Sequence, residues 1–492
     1  MLFNSVTFFI FLPIAFVLYW FVFQRNLKSQ NVFIVAASYI FYGWWDWRFL
    51  LLIAFTTFCS WGCGVWMQHA DNNKGIHAHL FRKFLSISNI LLNLGILGVF
   101  KYYNFFVDSF VSAFASAGIH LQPYTLNIIL PVGISFYTFQ ALSYSIDVYK
   151  RKMEPTKDIV AFFAFVSFFP QLVAGPIERA TNLLPQFYSK RTFDYEKAVD
   201  GLRQILWGLF KKIVIADNCA LYVNHVFENY HEQTGSTLLL GAFLFAFQIY
   251  SDFSGYSDIA IGTARLFGFN LMRNFNFPYF SRDIAEFWRR WHISLTTWFR
   301  DYVYIPLGGS RVSKAKVVRN TFIIFLVSGF WHGANWTFIF WGAFHAFLFL
   351  PLILMDKNRV HTDTVAKGRF LPGFKELFQI GFTFLLVVIG WVFFRAASIG
   401  QAFEYLGRMA DMSIFSFALA KKNLAMRCLF FIICMLLVEW MQRNKQHGLE
   451  LSNIKSHVCK WILYYMILCI IIYYFDFGDQ QQFIYFQFLK IR

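Results

Sequence analysis

The sequence is poor in charged residues. Only 14% of its 492 residues are Asp, Glu, Lys or Arg, whereas soluble domains carry about a quarter. Hydrophobic residues make up 58% of the chain, and phenylalanine alone contributes 66 residues. This composition excludes an ordinary soluble domain and predicts a membrane protein.

Several signature motifs are also missing. The seven cysteines show no CxxC…CxxC spacing of a zinc site and no disulfide framework. The chain has no GxSxG, HExxH or P-loop motif, and it lacks the alternating segments of about 10 residues that form outer-membrane barrels. We therefore expect no metal site and an all-α polytopic membrane protein.

Long apolar runs recur along the whole chain, and each can cross the about 30 Å of hydrocarbon in a bilayer as a helix. We predict spans at residues 6–23, 32–45, 49–65, 84–100, 126–146, 159–174, 205–220, 237–250, 321–351, 380–394, 424–441 and 461–475, with 102–116 as a further crossing or an interfacial helix. We find no internal repeat and no flexible linker. The sequence therefore predicts one transmembrane domain over 1–492, with a polar, motif-bearing core at 130–350 and an aromatic tail at 476–492.

The net charge of +17 is carried largely by short loops between the apolar runs. These basic loops lie at residues 25–28, 74–83, 150–157 and 443–460. By the positive-inside rule they face the cytoplasm, which places both termini on the extracytoplasmic side of the inner membrane. Lys421 and Lys422 fall on the predicted outer side and oppose this topology. Topology alone therefore accounts for most of the basic residues and requires no anionic partner, with binding of a polyanion as the alternative. We expect membrane lipid, and no nucleic acid, as a partner of the protein.

One histidine interrupts the apolar run 321–351, in the motif Phe-Trp-His-Gly-Ala-Asn-Trp at 330–336. An ionisable side chain in a membrane span is costly, and it usually lines a cavity, pairs with a partner or does chemistry. A single histidine on an apolar face is more often a core residue, but residues 333–335 leave room beside His332. Histidine titrates near neutral pH, and no serine or cysteine nucleophile motif is present, so the pattern favours base-assisted acyl transfer to a hydroxyl. His345 is a weaker second candidate.

A polar, aromatic segment at 281–300 precedes this histidine. Ser281 followed by acidic residues is typical of a helix start. On a continuous helix, the residues sharing one face would be Trp288, Trp291, His292 and Leu295. The arginines either anchor an interfacial helix at lipid headgroups or bind an anionic donor, such as a coenzyme A thioester, at the cytoplasmic face. The candidate donor or tunnel contacts are Arg289, Arg290, Arg300 and Asn335.

Two carboxylates, Asp252 and Asp258, lie within the apolar stretch 238–261. Carboxylates in a membrane need partners or a water-filled tunnel. These residues either form a structural polar network or contact the substrate. Both carboxylates are therefore added to the candidate tunnel contacts.

Several of these motifs together resemble the membrane-bound O-acyltransferase (MBOAT) family, and within it the alginate O-acetyltransferase branch, related to the teichoic-acid D-alanyl transferase. The resemblance is carried by the sequences at 287–294, 298–309 and 330–336, with those at 140–144, 174–177 and 248–258. It implies a ring of about 11–13 tilted transmembrane helices, with re-entrant or interfacial helices, around a central tunnel. It also implies that His332 is the essential catalytic residue and that His292 is a second functional position.

The aromatic tail contains Phe-Ile-Tyr-Phe-Gln-Phe at 483–488. It resembles the short tyrosine-bearing C-terminal motif of related envelope-acylating systems. That resemblance implies that the hydroxyl of Tyr485 relays the acyl group to a partner. An interfacial aromatic anchor is the alternative.

The sequence thus predicts an O-acetyltransferase that passes acetyl from a cytoplasmic thioester, acetyl-CoA, towards hydroxyls of an exported polysaccharide of the alginate type. We expect acetyl-CoA as a substrate, no bound cofactor, and a periplasmic or surface-anchored acetyltransferase as partner. One alternative is a transporter or flippase, a class that often shows repeated halves, which we do not find. The other is a scaffold subunit of a polysaccharide-secretion complex, in which His332 is structural.

Overall fold

Helices form nearly all the regular structure. The computed structural model describes residues 1–72, 76–126, 128–416, 420–452, 454–476, 478, 481 and 483–484, and these contain no β-strand. The all-helical prediction is confirmed for them. The α-helices are α1 (Val6–Val17), α2 (Leu27–Gly43), α3 (Arg48–Asn72), α4 (Ile76–Leu97), α5 (Tyr103–Ser116), α6 (Ile134–Tyr149), α7 (Ile159–Ser167), α8 (Phe169–Leu172), α9 (Ala180–Leu183), α10 (Tyr195–Leu209), α11 (Asp217–Glu228), α12 (Gly235–Leu266), α13 (Ile284–Arg290), α14 (Ile293–Phe299), α15 (Lys314–His332), α16 (Trp336–Leu354), α17 (Phe374–Arg395), α18 (Ile399–Met409), α19 (Lys422–Met441) and α20 (His457–Tyr474).

Short π-helical segments extend or join several of these helices. Gly98–Tyr102 joins α4 to α5, and Phe210–Ala216 joins α10 to α11. The other π segments are Leu18–Val22 and Arg300–Tyr304, and 3₁₀ turns lie at Leu184–Phe187, Tyr230–Glu232, Pro278–Phe280 and Met412–Phe415. Because of the first join, residues 102–116 continue a long apolar helix and are not a separate element.

Seven helices in the described part of the chain are long and apolar enough to cross a membrane. They are Arg48–Asp71, His77–Ser116, Gly235–Leu266, Trp336–Leu354, Phe374–Arg395, Lys422–Met441 and His457–Tyr474, with Val6–Val22 as a shorter apolar helix. The predicted spans at 49–65, 84–100, 237–250, 380–394, 424–441 and 461–475 overlap these helices. The ring-shaped arrangement and the central tunnel stay predictions.

The predicted single span at 321–351 is wrong. Two helices, α15 and α16, occupy this stretch, and residues 333–335 separate them. Asn335 has an extended backbone and is the N-cap of α16, where its side-chain oxygen accepts a hydrogen bond from the backbone N–H of Thr337 at 3.0 Å. His332 is consequently the last residue of a helix and does not lie in the middle of one.

The continuous helix predicted over 281–300 is also wrong. α13 ends at Arg290 and α14 begins at Ile293, because His292 adopts a left-handed backbone with φ of 43°. The predicted N-cap Ser281 is replaced by Asp283, whose carboxylate accepts from the backbone N–H of Glu286.

The predicted span 126–146 likewise begins late. α6 starts at Ile134, after Gly133 with a left-handed φ of 74°. A side chain at residue 133 would lie 2.5 Å from the carbonyl oxygen of Leu172, so glycine is required there both for its backbone and for the close approach.

The chain divides into two compact units, Met1–Val199 with Thr263–Met272, and Asp200–Gly262 with Arg273–Arg492. The single domain over 1–492 stays a prediction. The first unit has a polar cluster where α3, α4 and α6 pack together. Asn89 donates to the hydroxyl of Ser145 at 2.6 Å and accepts from the hydroxyl of Ser60 at 3.2 Å. Such buried hydrogen bonds hold membrane helices together.

The second unit contains an antiparallel hairpin of α15 and α16. The ring of Phe322 lies 5.0 Å from that of Phe347. A side-chain carbon added to Gly329 would lie 2.2 Å from the carbonyl oxygen of Phe338, so the two backbones touch at this point. The hairpin closes at 333–335, which fixes the position of His332.

Candidate active site

His332 lies at the closed end of the α15–α16 hairpin and is only 5% exposed. Aromatic rings surround its imidazole. The ring centroids of Trp331, Trp341 and Phe394 lie 5.0, 5.2 and 5.3 Å from it. An imidazole in such a setting is shielded from bulk water.

His292 lies at the break between α13 and α14 and is 1% exposed. A left-handed backbone is uncommon for residues other than glycine, although asparagine, aspartate and histidine adopt it more often than the rest. The segment that follows α12 holds it in place. The N–H of Ile293 donates to the carbonyl of Asn274 at 2.8 Å, and the N–H of Asn276 donates to the carbonyl of Arg290 at 2.9 Å. Tertiary hydrogen bonds on both sides of His292 therefore stabilise a conformation that its own sequence does not favour.

The two histidines predicted as catalytic come together. Their ring centroids are 6.4 Å apart. Burial lowers the pKa of His292 to about 3, so this ring is neutral at neutral pH. Its Nδ1 lies 3.2 Å from the side-chain oxygen of Asn274, while its Nε2 has no hydrogen-bond partner among the described residues. The pair can therefore bind a hydroxyl and accept its proton.

The two carboxylates predicted as tunnel residues form buried ion pairs. Asp258 contacts Lys211 at 2.6 Å and accepts from the amide of Gln204 at 2.7 Å. Asp252 contacts Lys212 at 2.7 Å and accepts from the backbone N–H of Ile484 at 2.6 Å. These contacts match the structural network that the sequence left open as one alternative. A direct substrate contact for either residue stays a prediction.

The arginines predicted as donor contacts are engaged inside the protein. Arg289 donates to the carbonyls of Asn358 and His361 at 2.8 and 2.6 Å. Arg290 pairs with the buried carboxylate of Glu286 at 2.8 Å. The two bonds of Arg289 attach α13 to the loop between α16 and α17. Donor binding by these arginines stays a prediction.

The remaining candidates occupy different places. Arg300 has a half-exposed side chain and pairs with Asp301 at 2.7 Å. Asn335 donates to the carbonyl of Ala397 at 3.1 Å, besides capping α16. His345 is fully buried one turn beyond Trp341, whose ring lies 5.0 Å from it and 5.2 Å from His332. Tyr485 lies outside the described residues.

The family model of the membrane-bound O-acyltransferases matches residues 37–394. This chain belongs to that family. The matched range contains both histidines and every other predicted site residue except Tyr485, and the predicted resemblance is confirmed. The protein is a multi-pass membrane O-acyltransferase.

Named relatives support the assignment. The acyltransferase is 43% identical to a probable alginate O-acetylase of Pseudomonas aeruginosa, over 82% of this chain and 74% of the relative. It is 34% identical to a peptidoglycan O-acetyltransferase of Helicobacter pylori, over 84% of this chain and 80% of the relative. It is 28% identical to a teichoic acid D-alanyltransferase of Bacillus subtilis, over 56% of this chain and 71% of the relative.

Sequence reasoning missed several residues of the acyltransferase site. Lys211 and Lys212 lie inside the predicted span 205–220, and two lysines in an apolar run require carboxylate partners. Asp252 and Asp258, two carboxylates in another apolar stretch, were the available partners, so these ion pairs could have been predicted from the sequence. Asn274 gave no comparable signal, because it lies in an aromatic loop without a recognisable motif.

Proposed function

We propose that this acyltransferase moves an acetyl group from a cytoplasmic thioester, acetyl-CoA, to a hydroxyl on the way to an exported cell-envelope polysaccharide. The observation that carries the proposal is the pair of buried imidazoles of His332 and His292, with ring centroids 6.4 Å apart. The names of its relatives, alginate O-acetylases and a peptidoglycan O-acetyltransferase, support acetyl as the group and an envelope polymer of the alginate type as the final acceptor.

His332 acts as the general base. It takes the proton of the acceptor hydroxyl, whose oxygen attacks the carbonyl carbon of the thioester. The ester C–O bond forms, the C–S bond breaks, and the leaving thiolate receives the proton from the imidazolium of His332. His292 binds and orients the reacting hydroxyl. The surrounding rings of Trp331, Trp341 and Phe394 exclude water, so that transfer prevails over hydrolysis.

The acceptor chemistry requires an extracytoplasmic exit. The basic loops are proposed to face the cytoplasm of an inner membrane, with both termini outside, and a periplasmic or surface-anchored acetyltransferase then receives the acetyl group. On the extracytoplasmic side, the partner then transfers the acetyl group to a hydroxyl of the polymer.

The hydroxyl of Tyr485 is proposed to carry the acetyl group between His332 and that partner. Two contacts of the preceding residues support this relay. The backbone N–H of Ile484 donates to Asp252, and the ring of Phe483 lies 5.7 Å from Phe253. The ring of Phe253 in turn lies 4.6 Å from His292. The ring of Phe253 thus lies between His292 and the part of the tail that precedes Tyr485.

His332→Ala tests the function directly. At matched membrane abundance, we expect ester-linked acetate on the polymer to fall by about 10²–10⁴-fold, which is the usual contribution of a general base. His457→Ala, at an exposed histidine at the start of α20, is the control and should keep parental acetylation. Parental acetylation in His332→Ala would refute the enzyme and leave a transporter or scaffold. In inverted vesicles, label from acetyl-CoA should enter the acceptor only with His332 intact.

A further inference from the structure

Asn274 contacts the break at His292 through its backbone and its side chain. It is fully buried, as are Ser257 and Ser294 beside it. Its carbonyl accepts from the N–H of Ile293, the first residue of α14. Its side-chain amide reaches the imidazole of His292 at 3.2 Å. One residue therefore fixes the backbone after the histidine and also contacts the ring.

The orientation of this amide follows from its other partners. The backbone N–H of Ser294 can only donate, and it points at the Oδ1 position of Asn274 at 3.3 Å. The hydroxyl of Ser294 donates to the same oxygen at 2.9 Å, and the amide Nδ2 donates to the hydroxyl of Ser257 at 3.1 Å. The oxygen of Asn274 therefore faces His292.

This orientation selects one tautomer of His292. The hydroxyl of Ser294 lies 3.5 Å from Nδ1 of the imidazole but donates over the shorter distance of 2.9 Å to the amide oxygen of Asn274. An amide oxygen only accepts hydrogen bonds, so Nδ1 carries the proton and donates to Asn274. In the neutral ring the lone pair is then on Nε2. That nitrogen is buried and has no hydrogen-bond partner in the described part of the chain. Buried polar atoms are nearly always paired, so an unpaired acceptor beside His332 indicates a place for a ligand donor.

We propose that Asn274 is a positioning residue that holds His292 as the Nδ1–H tautomer, so that Nε2 accepts a hydrogen bond from the acyl-accepting hydroxyl. This inference rests on the proposed function and assigns the roles within its site. Nε2 of His292 orients the hydroxyl through one lone pair, and His332 removes the proton. With the proton on Nε2 instead, the ring would repel the hydroxyl hydrogen, and the orientation would be lost.

Titratable groups lie on both sides of this chain of hydrogen bonds. His332 on α15 faces the ring of His292, together with the uncharged rings of Phe253, Phe275 and Trp331. On its other side, Asn274 borders a small polar cavity. The titratable residues lining that cavity are Lys211, Tyr250, Asp258, Arg273, Glu439 and His447. A new negative charge at residue 274 would therefore act on His292 at hydrogen-bond distance.

Two substitutions at this position test the proposal. Asn274→Leu has a similar volume and no acceptor, and we expect kcat to fall about 10²-fold, the lower end of what proton-handling groups contribute. Asn274→Asp keeps the acceptor, so activity should persist at pH 8. Its carboxylate stabilises the imidazolium form of His292 and raises the pKa of that ring from about 3 towards its ordinary value, so a second group must then lose its proton and the acid limb of the rate profile should become steeper than in the parent. Asn218→Leu, at a buried asparagine whose amide donates to the carbonyls of Ile213 and Val214 in the adjoining π segment, controls for the loss of a buried amide and should keep the parental profile.

The outcomes distinguish a failure of this inference from a failure of the proposed function. Parental kcat in Asn274→Leu, or a parental pH profile in Asn274→Asp, overturns the role of Asn274 even if His332→Ala is inactive. If Asn274→Leu does not accumulate in membranes, the pH profile of Asn274→Asp decides alone. Parental acetylation in His332→Ala as well would overturn the proposed function itself.

Discussion

Gly329 is a position where one added methyl group should disturb the candidate active site. Its Cβ would lie 2.2 Å from the carbonyl oxygen of Phe338 on the opposite helix, whereas ordinary contact begins at 3.4 Å. Gly342 meets the carbonyl of Phe325 in the same way, at 2.4 Å. In Gly329→Ala the hairpin helices must therefore separate by about 1 Å, because rigid backbone and not a flexible side chain is in the way.

This separation acts on His332, three residues further along α15. A misplacement of about 1 Å in a reacting group can cost about 10²-fold in rate, and an overpacked contact costs about 1–3 kcal/mol of stability. We therefore expect Gly329→Ala to remain membrane-inserted, to unfold at a lower temperature, and to place at least tenfold less ester-linked acetate on the polymer per molecule of enzyme.

Gly381→Ala is the matched control. Nothing lies within 4 Å of a Cβ at this position, which is in the membrane helix α17. Alanine there should leave acetylation unchanged and stabilise the helix by up to about 1 kcal/mol. The reasoning fails if Gly329→Ala matches the parent in both unfolding temperature and acetate, since the two backbones would then not be in contact.

Three further predictions concern the tail and the buried cluster of Arg282, Glu286 and Arg290. Tyr485→Phe should abolish polymer acetylation while leaving enzyme abundance unchanged, and retained polymer acetylation in this variant rules out the hydroxyl relay. Asp252→Asn should reduce polymer acetylation, because the backbone N–H of Ile484 in the tail loses a charged acceptor. Glu286→Gln leaves the buried guanidinium groups of Arg282 and Arg290 without their shared charge, so we expect a loss of about 3–5 kcal/mol. The check is thermal unfolding in detergent, where an unchanged transition would show that the cluster is not stabilising.

Helix content and the two histidines could be predicted from the sequence, but for different reasons. The helices follow from apolar runs of membrane-spanning length. The functional role of His292 beside that of His332 followed only from the family resemblance, and their proximity was not predicted, because no spacing rule connects residues forty positions apart. The hairpin was within reach of sequence reasoning. The run 321–351 would be about 46 Å long as a helix, well beyond one bilayer, and Gly333 with Asn335 is a usual stop and start signal.

The break at His292 could not be predicted in this way. The sequence around it has neither glycine nor proline, and local preference favours one continuous helix. The interruption is imposed from outside by Asn274 and Asn276, which take up the N–H and carbonyl groups that a continuous helix would use internally. Local pattern reasoning has no access to such long-range hydrogen bonds.

In the proposed mechanism, the two interruptions of helical structure, at His292 and after His332, serve one chemical requirement. A histidine that contacts the substrate must be buried to exclude water, yet one of its ring nitrogens must be able to reach the substrate. A histidine in mid-helix on a packed face would have its ring pressed between neighbouring turns. At a helix end, the ring lies beside non-helical backbone, where groups such as the amide of Asn274 can bind one nitrogen and leave the other available. If this reasoning holds, His292→Asn, which tolerates the left-handed backbone but lacks the imidazole, should accumulate better than His292→Ala while remaining equally inactive. Equal abundance of the two variants would show that the left-handed backbone at this position imposes no strain.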